Sequence, residues 1–223
     1  MRKMKKSLTI LTAVFALCMA FALTVKVDAA VAEVMDVPTS NFKVSYMTPD
    51  KTYVGIQVVY NGDWTQVGLF DVYGNLVASD VCASYATFNG LSRNKIYYYR
   101  ARTVAYNYQT GTYDATSGWS GAKAFSTINY SLKAVKGKKA FTVKAPKVKG
   151  VKNYKVYMSK KRDTGFKKAK TIKAGKKIKI TKYNKKAFKF YQYYYVKVVP
   201  QLSSGVKCTD FTLGRFYVNK IYR

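Results

Sequence analysis

Histidine is absent from this 223-residue chain, which leaves lysine, tyrosine, serine and a few carboxylates to do whatever chemistry it does. The commonest general base and metal ligand is therefore missing. A serine nucleophile would need a lysine or a carboxylate as its base. Ser159 and Lys160 are adjacent on an expected strand, where neighbouring side chains point to opposite faces. Beyond residue 30 the acids are Glu33, Asp36, Asp50, Asp63, Asp71, Asp80, Asp114, Asp163 and Asp210. Most fall at expected turns, where aspartate hydrogen-bonds the local backbone. No two have the spacing of a general acid/base pair or a calcium loop, and no Gly-rich phosphate loop or metal-ligand cluster occurs. The sequence offers no catalytic residue, no metal site and no cofactor site, so a non-enzymatic protein is expected.

Cationic side chains are abundant and unevenly placed. Residues 31–127 hold 7 basic and 7 acidic residues, whereas residues 128–223 hold 28 basic and only 2 acidic ones, Asp163 and Asp210. An AT-rich genome would enrich lysine everywhere, but lysine avoids the first of these segments. Such asymmetry between halves of one chain points to a polyanionic partner for the charged half. Many exposed lysines sum to a potential of several kT, which gives diffuse, salt-sensitive attraction.

Short apolar runs separated by turn residues at intervals near ten define the elements that carry these side chains. This is the pattern of all-β sandwiches. Strands are expected at 40–47, 52–60, 65–72, 75–81, 83–88, 95–106 and 120–127, then at 130–135, 139–145, 152–160, 166–173, 177–182, 190–199 and 206–219. Period two is clear in the second set: Tyr154, Val156 and Met158 share one face, Lys155, Tyr157 and Ser159 the other. The runs Lys160-Lys161-Arg162, Lys167-Lys168, Lys176-Lys177 and Lys185-Lys186 are expected in loops. The division falls near Thr127–Asn129 without a Pro- or Gly-rich linker, so residues 36–127 and 128–223 are expected to form two abutting domains.

Particular residues resemble a known family. Gly90-Leu91-Ser92-Arg93-Asn94-Lys95-Ile96-Tyr97 is similar to the E–F corner of fibronectin type III domains, where a leucine precedes the corner tyrosine by six residues. Trp119-Ser120 and Phe125-Ser126-Thr127 resemble that family's last strand. In the second half, Gly150-Val151-Lys152-Asn153-Tyr154-Lys155-Val156-Tyr157 resembles a C strand of bacterial members, and Tyr194-Tyr195-Val196-Lys197-Val198 an F strand with Tyr194 at its corner. The chain departs from the pattern where Ile56, Val58 and Tyr60 replace the B-strand tryptophan, Arg93 the corner proline, and Phe188 the second leucine. The resemblance implies an all-β chain of two tandem fibronectin type III-like (immunoglobulin-like) sandwiches, used for binding, spacing or display. If strands C and F are neighbours, as in the family, then Lys155, Tyr157, Tyr195 and Lys197 form one outward lysine–tyrosine face. Its cations would attract phosphate, sulfate or carboxylate while its rings stack on sugars or bases. Tyr98, Arg100 and Arg102 are expected on the corresponding face of the first half.

The N-terminus supplies an address. Arg2, Lys3, Lys5 and Lys6 precede an apolar run from Leu8 to Val25, followed by Val27-Asp28-Ala29-Ala30. These are the three parts of a secretory signal peptide, residues 1–29, with cleavage expected after Ala29 and a second acceptable exit at Ala32. The alternative is an uncleaved anchor, since 18 apolar residues just span a bilayer. After cleavage no membrane span remains. Cys18 leaves with the signal, and Cys82 and Cys208 either form a disulfide between the halves or stay as separate thiols. The expected protein is secreted or extracellular, associated with the surface of a Gram-positive-type bacterium. Its expected partner is an anionic polymer: wall teichoic acid, host glycosaminoglycan or mucin, or extracellular DNA. The competing expectation is a structural spacer or protein-interaction module whose lysines only keep it soluble.

Overall fold

A computed structural model describes residues 37–48, 50–59, 62–135, 138–209 and 213–218. The expected signal peptide, both cleavage sites, Cys18 and the C-terminal residues 219–223 lie outside these.

The first half contains β1 (Phe42–Met47), β2 (Val54–Val58), β3 (Trp64–Phe70), β4 (Leu76–Cys82), β5 (Tyr85–Phe88), β6 (Ile96–Asn107), β7 (Thr112–Ala115) and β8 (Lys123–Ser126). The second contains β9 (Ser131–Ala134), β10 (Phe141–Lys144), β11 (Val151–Ser159), β12 (Lys167–Lys173), β13 (Lys177–Ile180), β14 (Lys182–Tyr183), β15 (Lys186–Ala187), β16 (Gln192–Leu202), β17 (Cys208–Thr209) and β18 (Leu213–Val218). One sheet has the order β1-β2-β5 and faces β4-β3-β6-β8; the second half repeats this as β9-β10-β13 and β12-β11-β16-β18. Each pair is an A-B-E sheet packed on a C′-C-F-G sheet, which is the fibronectin type III arrangement of an immunoglobulin-like sandwich. The protein is all-β, with two such sandwiches in tandem.

Alternation builds the cores. Tyr154, Val156 and Met158 from β11 are fully buried, and Tyr194, Val196 and Val198 from the neighbouring β16 are buried on the same inner face of the sheet. Burying each large apolar side chain contributes about 1.5–3 kcal/mol, so these two strands anchor the second core. Val67 and Leu69 from β3 and Tyr99 and Ala101 from β6 do the same in the first. Both corner tyrosines close as the sequence anticipates. The Tyr97 hydroxyl accepts the Ser92 backbone N–H at 3.1 Å, and the Tyr194 hydroxyl accepts that of Lys189 at 3.0 Å. Leu91 and Phe188, six residues earlier, are buried beside them, with the Phe188 ring 4.8 Å from that of Tyr194. Thr127 is also buried, and its hydroxyl donates to the Ser92 carbonyl at 2.7 Å.

Three expectations about elements need correction. Residues 206–219 do not form one strand: β17 leaves its own sandwich and pairs in parallel with β8 of the first, Cys208 opposite Ala124 and Thr209 opposite Phe125. Residues 112–115, outside the expected strands, form β7 and pair with the end of β6 as a hairpin. Lys167 and Lys168 open β12 and Lys177 opens β13 rather than occupying loops, and Lys186 lies in β15. For β7, β15 and β17 the cause is pairing: strands of two to four residues are specified by a partner rather than by their own periodicity.

The sandwiches abut without a linker. Ile96, Ala124 and Ile128 belong to the same buried cluster as Tyr154, Val156 and Leu202. Tyr98 Oη and Ser204 Oγ are 2.8 Å apart across the junction. Lys51, only 4% exposed, donates from Nζ to the Ile128 carbonyl and sits 5.0 Å from the Tyr130 ring centroid. Gly150 has φ +80°, and a Cβ there would lie 3.1 Å from Val72 Cγ1. Glycine is required at that turn for its backbone angle and for the close approach of the first sandwich.

Candidate functional site

Antiparallel pairing of β11 with β16 places Tyr157 opposite Lys197, Lys155 opposite Val199, and Ser159 opposite Tyr195. Lys155, Tyr157, Tyr195 and Lys197 thus lie on the outer face of one sheet, each half-buried by its neighbours. Their inward neighbours Tyr154, Val156, Met158, Tyr194, Val196 and Val198 are the core, so period two alone fixes which way the four point.

The flanking strands widen this face with residues the sequence reading did not include. On one side β12 puts Lys168 opposite Tyr157, Thr171 opposite Lys155 and Lys173 opposite Asn153. On the other, β18 puts Arg215 opposite Tyr195, and the Arg215 guanidinium lies 5.5 Å from the Tyr193 ring centroid. One row across three strands therefore reads Lys168–Tyr157–Lys197. The signal for Lys168 was its own alternation, hidden by the β-bulge between Val156 and Tyr157 that shifts the register of β12. Arg215 lies within the strand expected at 206–219, and its place on this face comes from the pairing of β18 with β16, which its own neighbours do not show.

Carboxylates are nearly absent from this sandwich. Among its described residues Asp163 is the one acid; it lies 3.9 Å from the exposed Arg162 guanidinium, in the turn that follows β11. Among the described residues the face therefore has five cations, Lys155, Lys168, Lys173, Lys197 and Arg215, interleaved with three tyrosines and no carboxylate. The opposite sheet also presents lysines, with rows Lys133–Thr142–Lys179 and Ser131–Lys144–Lys177, but no outward ring. Lysine is thus spread over both surfaces, while the lysine–tyrosine mixture is confined to one.

The first sandwich carries its cations differently. Tyr98, Arg100 and Arg102 lie on the outer side of β6, but each is engaged. Tyr98 meets Ser204, Arg100 lies 5.7 Å from the Phe70 ring, and Arg102 donates to Gln66 Oε1 at 2.7 Å while lying 4.4 Å from the Trp119 ring.

Ser159 is 1% exposed; its Oγ donates to the Thr164 carbonyl at 2.6 Å and accepts the Lys161 N–H at 2.9 Å, so it ties a turn. Among the described residues no three His, Cys, Asp or Glu side chains could hold a metal ion. Cys82 and Cys208 are separate thiols. Burial, with the Asp80 carboxylate nearby, pushes the Cys82 thiol up to about 11. No helix among the described residues is long and apolar enough to cross a membrane.

No family model and no curated protein matches the sequence. Among solved structures, the chain is similar to a two-domain fibronectin type III segment of chicken tenascin, at 16% identity and TM-score 0.29, over 79% of this chain and 97% of that one. It is similar to the FN1–FN3 domains of chicken CNTN1 at 9% identity and TM-score 0.33, over 76% of this chain and 61% of that one. It is also similar to the BSP domain of a biofilm-associated protein at 12% identity and TM-score 0.30, over 86% of this chain and 31% of that one. The strand orders and the two tyrosine corners define the fold.

Proposed function

We propose that this is an exported, non-enzymatic protein of a Gram-positive-type bacterial surface, in which residues 128–223 form a basic domain that docks onto an anionic polymer and residues 36–127 a near-neutral one. The observation that carries this reading is the outer face of β12-β11-β16-β18, where, among the described residues, five cations alternate with tyrosine rings and no carboxylate interrupts them. A surface built only for solubility mixes both signs, as the first sandwich does with its equal counts. Wall teichoic acid, glycosaminoglycan or mucin, and extracellular DNA share the phosphate, sulfate or carboxylate groups such a face attracts. Lys155, Tyr157, Tyr195 and Lys197 form the centre of the docking face; the lysines supply charge and the rings supply stacking area.

The lysines on the opposite sheet favour a second reading, in which the tandem is a spacer and its charge is not a docking device. Two charge-matched variants of the whole chain separate the two. One carries Lys155→Gln, Lys168→Gln and Lys197→Gln; the other carries Lys133→Gln, Lys144→Gln and Lys179→Gln. Docking predicts that the first loses at least about tenfold more affinity for purified teichoic acid or heparin than the second, since each surface contact to an anionic polymer contributes about 1 kcal/mol. Equal losses, or no binding by the parent protein at low salt, would replace the docking face with the spacer.

A further inference from the structure

The first sandwich ends in a row of exposed rings that no lysine accompanies. The row lies near the tip of β6, roughly 33 Å along that strand from Ile96 at the junction. Trp64 is 45% exposed, Tyr106 42%, Tyr108 90% and Tyr113 38%. The rings form one continuous series: Trp64 to Tyr113 at 5.6 Å, Tyr113 to Tyr106 at 5.2 Å, and Tyr106 to Tyr108 at 5.0 Å between centroids. Strand pairing assembles them, with Trp64 opposite Val104 and Tyr106 opposite Tyr113. A contiguous exposed apolar patch of this kind marks an interaction site.

Its chemistry is selective in two ways. Successive ring planes are inclined by 55°, 66° and 86°, so the rings make corners rather than the flat platform on which a base or a sugar ring stacks. A corner between two ring faces suits a compact, rounded group. The charge is also of one kind. Residues 62–65 and 104–115 contain no lysine or arginine in a chain of net charge +30, while Asp63 and Asp114 flank the rings. Arg102, one row inward, is occupied by Gln66 and Trp119. Ring faces carry negative quadrupole potential and attract cations, most of all where no other cation competes.

We propose that Trp64, Tyr106, Tyr108 and Tyr113 form a binding site for an organic cation, specifically a quaternary ammonium group of the choline type. The site is chemically opposite to the basic face of the second sandwich and does not depend on it.

The test titrates the whole chain with choline chloride and, separately, with 3,3-dimethylbutan-1-ol, its uncharged isostere, at matched ionic strength. Tryptophan fluorescence and proton shifts of the ring resonances follow binding. Choline should give a saturable response, weak because the site is open, and the isostere a response weaker by about two- to fivefold or more. Tyr108→Ala, at a residue almost wholly in solvent and so without consequence for folding, should weaken choline by about two- to fivefold. Tyr73→Ala, an exposed tyrosine outside the row, should leave binding unchanged. No saturable response to choline, an equal response to the isostere, or wild-type choline binding by Tyr108→Ala would each overturn the proposal.

Discussion

Gly150→Ala tests whether the two sandwiches are held against each other, because the structure supplies its own control. Gly150 and Gly205 share nearly the same backbone angle, φ +80° and φ +79°, yet a Cβ at Gly205 meets nothing within 4 Å while one at Gly150 lies 3.1 Å from Val72 Cγ1. Placing an L side chain in the left-handed region costs about 1–2 kcal/mol, and both variants should lose that much. Gly150→Ala should lose a further ~0.5–1 kcal/mol, because Val72 must give by a few tenths of an ångström against a packed junction. For a chain of this size each kcal/mol moves Tm by about 2–4 °C, so the two variants should differ by roughly 1–4 °C in a thermal melt. Val72→Ala removes the opposing methyl groups, and the Gly150→Ala/Val72→Ala double variant should recover the excess as a coupling of about 0.5–1 kcal/mol. Equal melting of the two glycine variants, with no coupling to Val72, would refute the abutment.

Further outcomes follow from other contacts. Tyr97→Phe and Tyr194→Phe remove the acceptors of the Ser92 and Lys189 N–H groups, which lie at exposed residues, and should each cost about 0.5–1.5 kcal/mol in chemical denaturation. Cys82, raised to about 11 by burial, should resist alkylation at pH 8 in the folded protein, whereas the half-exposed Cys208 reacts. Because the raised value means that the folded state holds the Cys82 proton more tightly, that contribution to stability is full below the unfolded thiol value of about 9 and disappears as pH rises through about 11. Cys82→Ala should therefore show a shallower alkaline loss of stability than the parent; parallel curves would contradict this.

What the sequence made legible was whatever a residue's own neighbours decide. Tyr154, Val156 and Met158 alternate with Lys155 and Tyr157, and that alternation fixes both the inner core and the outer face. The Leu91–Tyr97 and Phe188–Tyr194 spacings anticipated two corner hydrogen bonds because the corner is local. Features made by distant segments were hidden. β17 pairs for only two residues, with a strand more than eighty positions away. Lys51 reads as an ordinary surface lysine until the Ile128 carbonyl and the Tyr130 ring close over it. Trp64 and the tyrosines at 106, 108 and 113 become neighbours only after β3, β6 and β7 have paired. Arg215 joined the basic face for the same reason.

Salt dependence tests polymer docking most directly, because it counts the charges in use. The whole chain would be titrated with a short random-sequence DNA duplex, a polyanion of known charge density, across a range of salt concentrations. With the five cations of the outer face engaged, log K should fall against log[salt] with a slope of about −4 to −5. Substituting Lys155, Lys168 and Lys197 by Gln should flatten that slope by about 3. A parent slope near zero, or one that the three substitutions leave unchanged, would contradict docking through this face.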